Sequence, residues 1–175
     1  RGIGNGALIP VGPLREPLER LDSVDFVITN GGLMDEIGHP RQFIMTLAPT
    51  ALRNLVTGET LAPGCLEGKR VRAVAGIGNP DRFFATLEQL GAQVRPRALP
   101  DHHRFSPGDL QAEDGEWLVI TAKDAVKCRG IAPDNTWVLA VTATLPQAFG
   151  EAFLACVNDC RQSLDTKNTV RPHHG

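Results

Sequence analysis

Apolar positions change their spacing several times along the chain, and each change predicts an element. Leu14, Leu18 and Leu21 recur at helical spacing within a charged stretch, which predicts a short amphipathic helix over 14–21. Residues 25–29 (DFVIT) form a short apolar run halted by Asn30-Gly31-Gly32, as expected of a buried strand that ends in a loop. Residues 42–62 carry two β-leaning pieces, near 43–48 and 53–57, before Pro63-Gly64, and are expected to act as a connector.

The clearest unit follows. RVRAVA at 70–75 predicts a strand, Gly76 to Asn79 a turn, and Pro80 to Leu90 a helix that Gly91 stops as a C-cap. Strands are also expected at 92–98, 117–121 and 136–141, with Pro96 pushing the first of them to an edge or an early end. A closing helix over 146–163 presents Phe149, Phe153, Val157 and Cys160, and the tail from Asp165 to Gly175 is expected to fray. Strands alternating with helices indicate an α/β layer with a mostly parallel sheet.

Composition narrows the function classes. With 42% hydrophobic residues in 175, the chain can bury a core in one domain, or in one domain plus part of another. Eighteen Lys+Arg against 20 Asp+Glu leave no basic excess for nucleic acid, so any anion site must be local. Cys65, Cys128, Cys156 and Cys160 contain no C-x-x-C pair and read as reduced thiols; Cys156 and Cys160 share a helix face and read as packing residues. No apolar run approaches the roughly 20 residues that span a bilayer, and no basic-then-apolar leader opens the chain. The loop-like opening RGIGNGALIPVGP, starting at Arg1, suggests a natural beginning further upstream.

Ligands in open α/β sheets gather beyond the carboxyl ends of the strands, and three polar clusters fall there. In the first, Gly76-Ile77-Gly78-Asn79, the two glycines have dinucleotide-fingerprint spacing, but Arg82 occupies the third glycine position. A tight turn with Asn79 as N-cap and Pro80 as first helical residue explains it as well. In the second, Asp101-His102-His103, a carboxylate beside an imidazole suits a proton acceptor; extended backbone would set Asp101 and His103 on one side and His102 on the other. In the third, Lys123 offers charge to a phosphate and Asp124 can cap a following helix. Positive charge collects at Lys69, Arg70 and Arg72, at Arg95 and Arg97, and at His102 to Arg104, where a phosphorylated ligand would find partners or water a charged face. These features leave open a nucleotide- or sugar-phosphate-binding module without catalysis, whereas Arg82 argues against a nicotinamide-dependent dehydrogenase.

Six strings in order resemble the lipid A 4'-kinase (tetraacyldisaccharide 4'-kinase) family: RGIGNG at 1–6, PVGPLREPL at 10–18, DFVITNG at 25–31, AVAGIGNPDRFF at 73–84, PDHHRFS at 100–106 and TAKDAVKC at 121–128. The resemblance covers residues 1 to about 153 and corresponds to the C-terminal half of that family. It implies an α/β protein: a Rossmann-like three-layer lobe with a mostly parallel sheet, the remnant of a first, P-loop-type α/β lobe, and a β-strand linker. The remnant would be 1–40, the linker 41–66, the second lobe with its closing helix 67–164, and the tail 165–175.

The resemblance further implies ATP and Mg2+ as cofactors and phosphorylation of the 4'-hydroxyl of lipid A disaccharide 1-phosphate. The expected setting is the cytoplasmic face of the inner membrane, with the protein peripheral, and no nucleic acid as partner. His102 matches a catalytic histidine that pairs with an aspartate outside this chain. Glu16 resembles an acidic residue on the nucleotide–magnesium side, with Arg15 beside it. Asn30, Gly31, Asp101, His103, Lys123 and Asp124 would border the substrate cleft. No G-x-x-x-x-G-K-[ST] string or Walker-B-like acidic pair occurs here, so the chain alone is expected to be inactive.

Overall fold

A computed structural model describes residues 3–32, 34 and 36–169. Contacts divide the chain into two compact units, Arg1–Leu47 with Ala143–Gly175, and Ala48–Thr142.

The second unit carries most of the sheet. Strands β4 (Arg70–Ala75), β5 (Gln93–Ala98), β6 (Trp117–Thr121) and β7 (Thr136–Thr144) run parallel in the order β7-β6-β4-β5. Beside β7 lies the later part of β2 (Gln42–Asn54), which takes the two-residue strand β3 (Thr60–Leu61) antiparallel. Alternate residues of each strand enter opposite layers. Val71, Ala73 and Val119 pack with Phe84 and Leu87 of helix α1 (Pro80–Gln89), while Val74, Leu118 and Ile120 pack with Ala125 and Cys128 of helix α2 (Ala122–Cys128). Each fully buried leucine of these layers contributes about 1.5–3 kcal/mol over an exposed one. Pro96 lies in β5 at the end of the sheet order, where a missing N–H costs least, as expected.

Helix α1 starts with Asn79 at the N-cap position, although its side chain makes no capping bond, and Pro80 at the first turn. It ends in a Schellman pair: Gly91 (φ +83°) donates to Glu88 O, and Ala92 N–H donates to Leu87 O at 3.1 Å.

In the first unit β1 (Val27–Asn30) runs parallel to the start of β2, with Val27 opposite Gln42. Phe26 and Phe43 meet Phe149 and Phe153 of helix α3 (Gln147–Thr169), with ring centroids 5.4–6.4 Å apart.

Several expectations need correction. The helix expected over 14–21 is a 3-10 turn at Leu18–Ser23 with no buried residue, and Leu14 instead bridges to Leu8. The first of the two β pieces of 42–62 runs on through Pro49 as one 13-residue strand to Asn54, because Pro49 removes a donor without bending the extended backbone, and 55–57 of the second piece is a turn. The division between the two compact units falls inside β2, and α3 lies with residues 1–47. Residues 165–169 of the expected tail are helical; 170–175 lie outside the described residues, as does Arg1-Gly2 of the opening string.

Candidate functional site

β4, β5 and β6 are parallel, so the segments after Ala75, Ala98 and Thr121 leave the same end of the sheet of the second unit. The three polar clusters noted in the sequence are those segments, and two carboxylates tie them together.

Asp124 is one. It is wholly buried at the start of α2, and its Oδ2 accepts Gly76 N–H at 2.9 Å and Thr121 Oγ1–H at 2.8 Å. Its Oδ1 takes Lys127 Nζ at 3.1 Å, and its own N–H donates to the N-cap oxygen of Thr121. A buried charge survives only with such a set of donors. Gly76 is where the carboxylate reaches the turn: a Cβ there would stand 3.3 Å from the Phe105 ring and 3.4 Å from Asp124 Oδ1. The glycine-rich turn is thus occupied by the protein's own carboxylate.

Asp101 is the other. Its Oδ1 accepts His102 N–H at 3.1 Å and Lys123 Nζ at 3.2 Å, and its Oδ2 stands 3.9 Å from His102 Nε2. The Lys123 hydrogen bond, with the Lys123 and His102 charges behind it, holds the Asp101 carboxyl below the usual carboxylate range. His102 has φ +64°, the only non-glycine residue among those described in the left-handed region, and its side chain is 82% exposed. Imidazole is therefore presented to solvent from an unfavourable backbone, a cost that ordered surroundings must offset.

His103 differs from expectation. It does not share a side with Asp101: its N–H turns back to Pro100 O, and Nε2 meets Asp109 Oδ2 at 3.1 Å, because a turn replaces the extended backbone that alternation assumes. Asp109 also accepts the Ser106 hydroxyl (2.7 Å), Ser106 N–H and Arg97 (2.8 Å). The Ser106 hydroxyl, followed by His103, drives its carboxyl far below the usual range. Arg95 is likewise engaged, donating from Nε to Glu116 Oε1 at 2.9 Å and holding Glu116 at about 2. The arginines of β5 that could have received a phosphorylated ligand are thus paired with internal carboxylates. Sequence reasoning missed Ser106, Asp109 and the Thr121 cap, yet both sites carry a [ST]-x-x-D string that marks a helix start.

The remaining candidates lie in the first unit. Glu16 is exposed and pairs with Arg20 at 3.2 Å, and Arg15 is exposed next to it. Asn30 is exposed at the end of β1, and Gly31 (φ +98°) donates to Met45 O. Among the described residues no three His, Cys, Asp or Glu side chains stand close enough to hold a metal, and no helix is long and apolar enough to cross a membrane.

Known proteins agree on one family. The family model described as Tetraacyldisaccharide-1-P 4'-kinase matches residues 1–158. A tetraacyldisaccharide 4'-kinase of Pseudomonas putida (strain W619) is 50% identical over 150 residues, 85% of this chain and 44% of the relative. That of Azotobacter vinelandii is 46% identical over 158 residues, covering 90% of this chain and 46% of the relative. The solved structure of "apo" form LpxK from Aquifex aeolicus in complex with ATP is 27% identical, with a TM-score of 0.59 over 86% of this chain and 47% of that one. The chain spans about half the length of the curated relatives it matches. Over that span the chain belongs to the tetraacyldisaccharide-1-P 4'-kinase family.

Proposed function

We propose that this chain is the C-terminal portion of a kinase that moves the γ-phosphoryl group of ATP to the 4'-hydroxyl of tetraacyldisaccharide 1-phosphate, with His102 as the base. Its imidazole accepts the hydroxyl proton as the sugar oxygen bonds to phosphorus and the bond to the ADP oxygen breaks. The observation that carries this reading is the presentation of His102: 82% exposed, left-handed and braced by Asp101, beyond the ends of parallel strands.

Phosphoryl transfer rests on positioning and charge neutralisation, which ATP-bound Mg2+ supplies in part. Glu16 fits as one carboxylate ligand to that ion, since magnesium commonly takes one or two carboxylates plus phosphates and water; Arg15 stands beside it to meet phosphate. Lys123 borders the approach of the sugar within the unit that carries His102. Asp124 and His103, spoken for by internal partners, shape that approach from behind. An acylated substrate requires work at a bilayer surface, and ATP as donor requires the cytoplasmic face of the inner membrane.

The sequence holds no P-loop string, so the 175-residue chain alone should transfer no phosphate. Joined to the portion of the P. putida relative outside the matched region, it should phosphorylate the disaccharide from ATP. His102→Ala should then lower the chemical rate by about 10²–10⁴-fold. An unchanged rate in that variant, with chemistry limiting, removes His102 from the mechanism.

A further inference from the structure

We infer that Asp101 and Lys123 are positioning residues for His102, a two-member brace that holds the imidazole in its left-handed presentation; the inference rests on the role of His102 proposed above. Three observations converge. His102 occupies a backbone region that Cβ-bearing residues adopt infrequently and at a cost. Its N–H donates to the preceding side chain, Asp101 Oδ1, at 3.1 Å. That same oxygen is pinned from a different element by Lys123 Nζ at 3.2 Å.

Lys123 can do this because its helix is itself anchored. The next residue, Asp124, is fully buried and bonded to Gly76 and Thr121, so α2 cannot slide without breaking the set. The lysine thus transmits the position of the β4–β6 core, through one carboxylate, to the loop after β5. Each link is exposed enough that its loss leaves the core intact: the Lys123 and Asp101 side chains are 54% and 34% exposed.

The first test uses this chain alone. A left-handed residue brings its own N–H and Hα close together, so nuclear magnetic resonance of labelled protein should show a strong intraresidue N–H to Hα cross-peak at His102. Asp101→Ala should lose it, whereas Asp101→Asn, which keeps an acceptor oxygen, should retain most of it. Lys123→Met should weaken it and Lys123→Arg restore it. Urea midpoints that match the parent protein show that each variant is folded. Persistence of the cross-peak in folded Asp101→Ala overturns the inference.

The second test uses the joined enzyme. Asp101→Ala and Lys123→Met should each lower kcat by about 10–100-fold with KM nearly unchanged, the scale of a small misplacement of a reacting group, and Lys123→Arg should recover most of it. If His102→Ala lowers kcat and these variants do not, the brace is refuted and the histidine stands. If His102→Ala itself has no effect, the base assignment fails, and the cross-peak result alone then decides whether the brace exists.

Discussion

Removing the Asp124 carboxylate should unfold the second unit more readily than any surface change near it. In Asp124→Ala two buried donors, Gly76 N–H and Thr121 O–H, lose an ionised acceptor, and Lys127 loses its partner. A hydrogen bond to a charged group is worth about 1.5–3 kcal/mol, so the two buried donors account for about 3–6 kcal/mol. Lys127, with a side chain 28% exposed, recovers water and trims the loss, which brings the expected cost to about 3–5 kcal/mol, the usual result of breaking a buried pair. Asp124→Asn keeps one acceptor oxygen and should cost about half as much. Trp117 and Trp137, stacked with centroids 4.8 Å apart within the same unit, provide a fluorescence signal for urea unfolding. A loss below about 1 kcal/mol with an unchanged denaturant slope would refute the reasoning, because it would mean that the donors find other partners once the carboxylate is gone.

Other outcomes can be checked on the same material. Arg95 holds Glu116 at about 2 against an ordinary 4.5, so the pair's stabilisation is complete above about pH 4.5 and drains away as pH falls toward 2. Arg95→Met should flatten that acid limb in urea midpoints taken from pH 2 to 6. Leu118→Ala, in the buried layer under α2, should cost about 2–5 kcal/mol in chemical unfolding, while Leu154→Ala, 62% exposed, should stay within about 0.5 kcal/mol. Gly91→Ala meets both a left-handed backbone and Glu67 atoms 3.2 Å away and should cost about 1–3 kcal/mol by the same assay. Burial, with Asp124 nearby, pushes the Cys128 thiol up to about 11, so mass spectrometry after native alkylation near neutral pH should find exposed Cys160 modified and Cys128 intact until urea unfolds the chain.

Much of the second unit was legible because its signals are local. β6 matches its expected span, 117–121, since WLVIT is a continuous apolar run between polar segments. The α1 helix was bracketed by Pro80 and Gly91, whose backbone preferences leave few alternatives. Helix α2 was less visible: seven residues are too few to show a period, and only the Thr121–Asp124 spacing announces it. The stretch 14–21 misled because leucine spacing predicts a helix only where a surface exists to receive the leucines, and none of the residues of the 3-10 turn is buried. For the candidate site, the three clusters were placed at strand ends by topology alone, but which carboxylate serves which neighbour was not. Asp101 with Lys123 and His103 with Asp109 are partnerships set by a turn that no alternation rule contains.

The first unit is made from both sides of the second, so synthesis order matters. Residues 48–142 form a continuous stretch whose limits lie side by side, with the Thr50 hydroxyl 3.4 Å from Ala140 O. A nascent chain can therefore complete that piece while the ribosome still holds α3, whereas Phe26 and Phe43 must wait for Phe149 and Phe153 to emerge. A stall after residue 142 would strand the earlier aromatic pair without its cover, the moment at which a chaperone would be most needed.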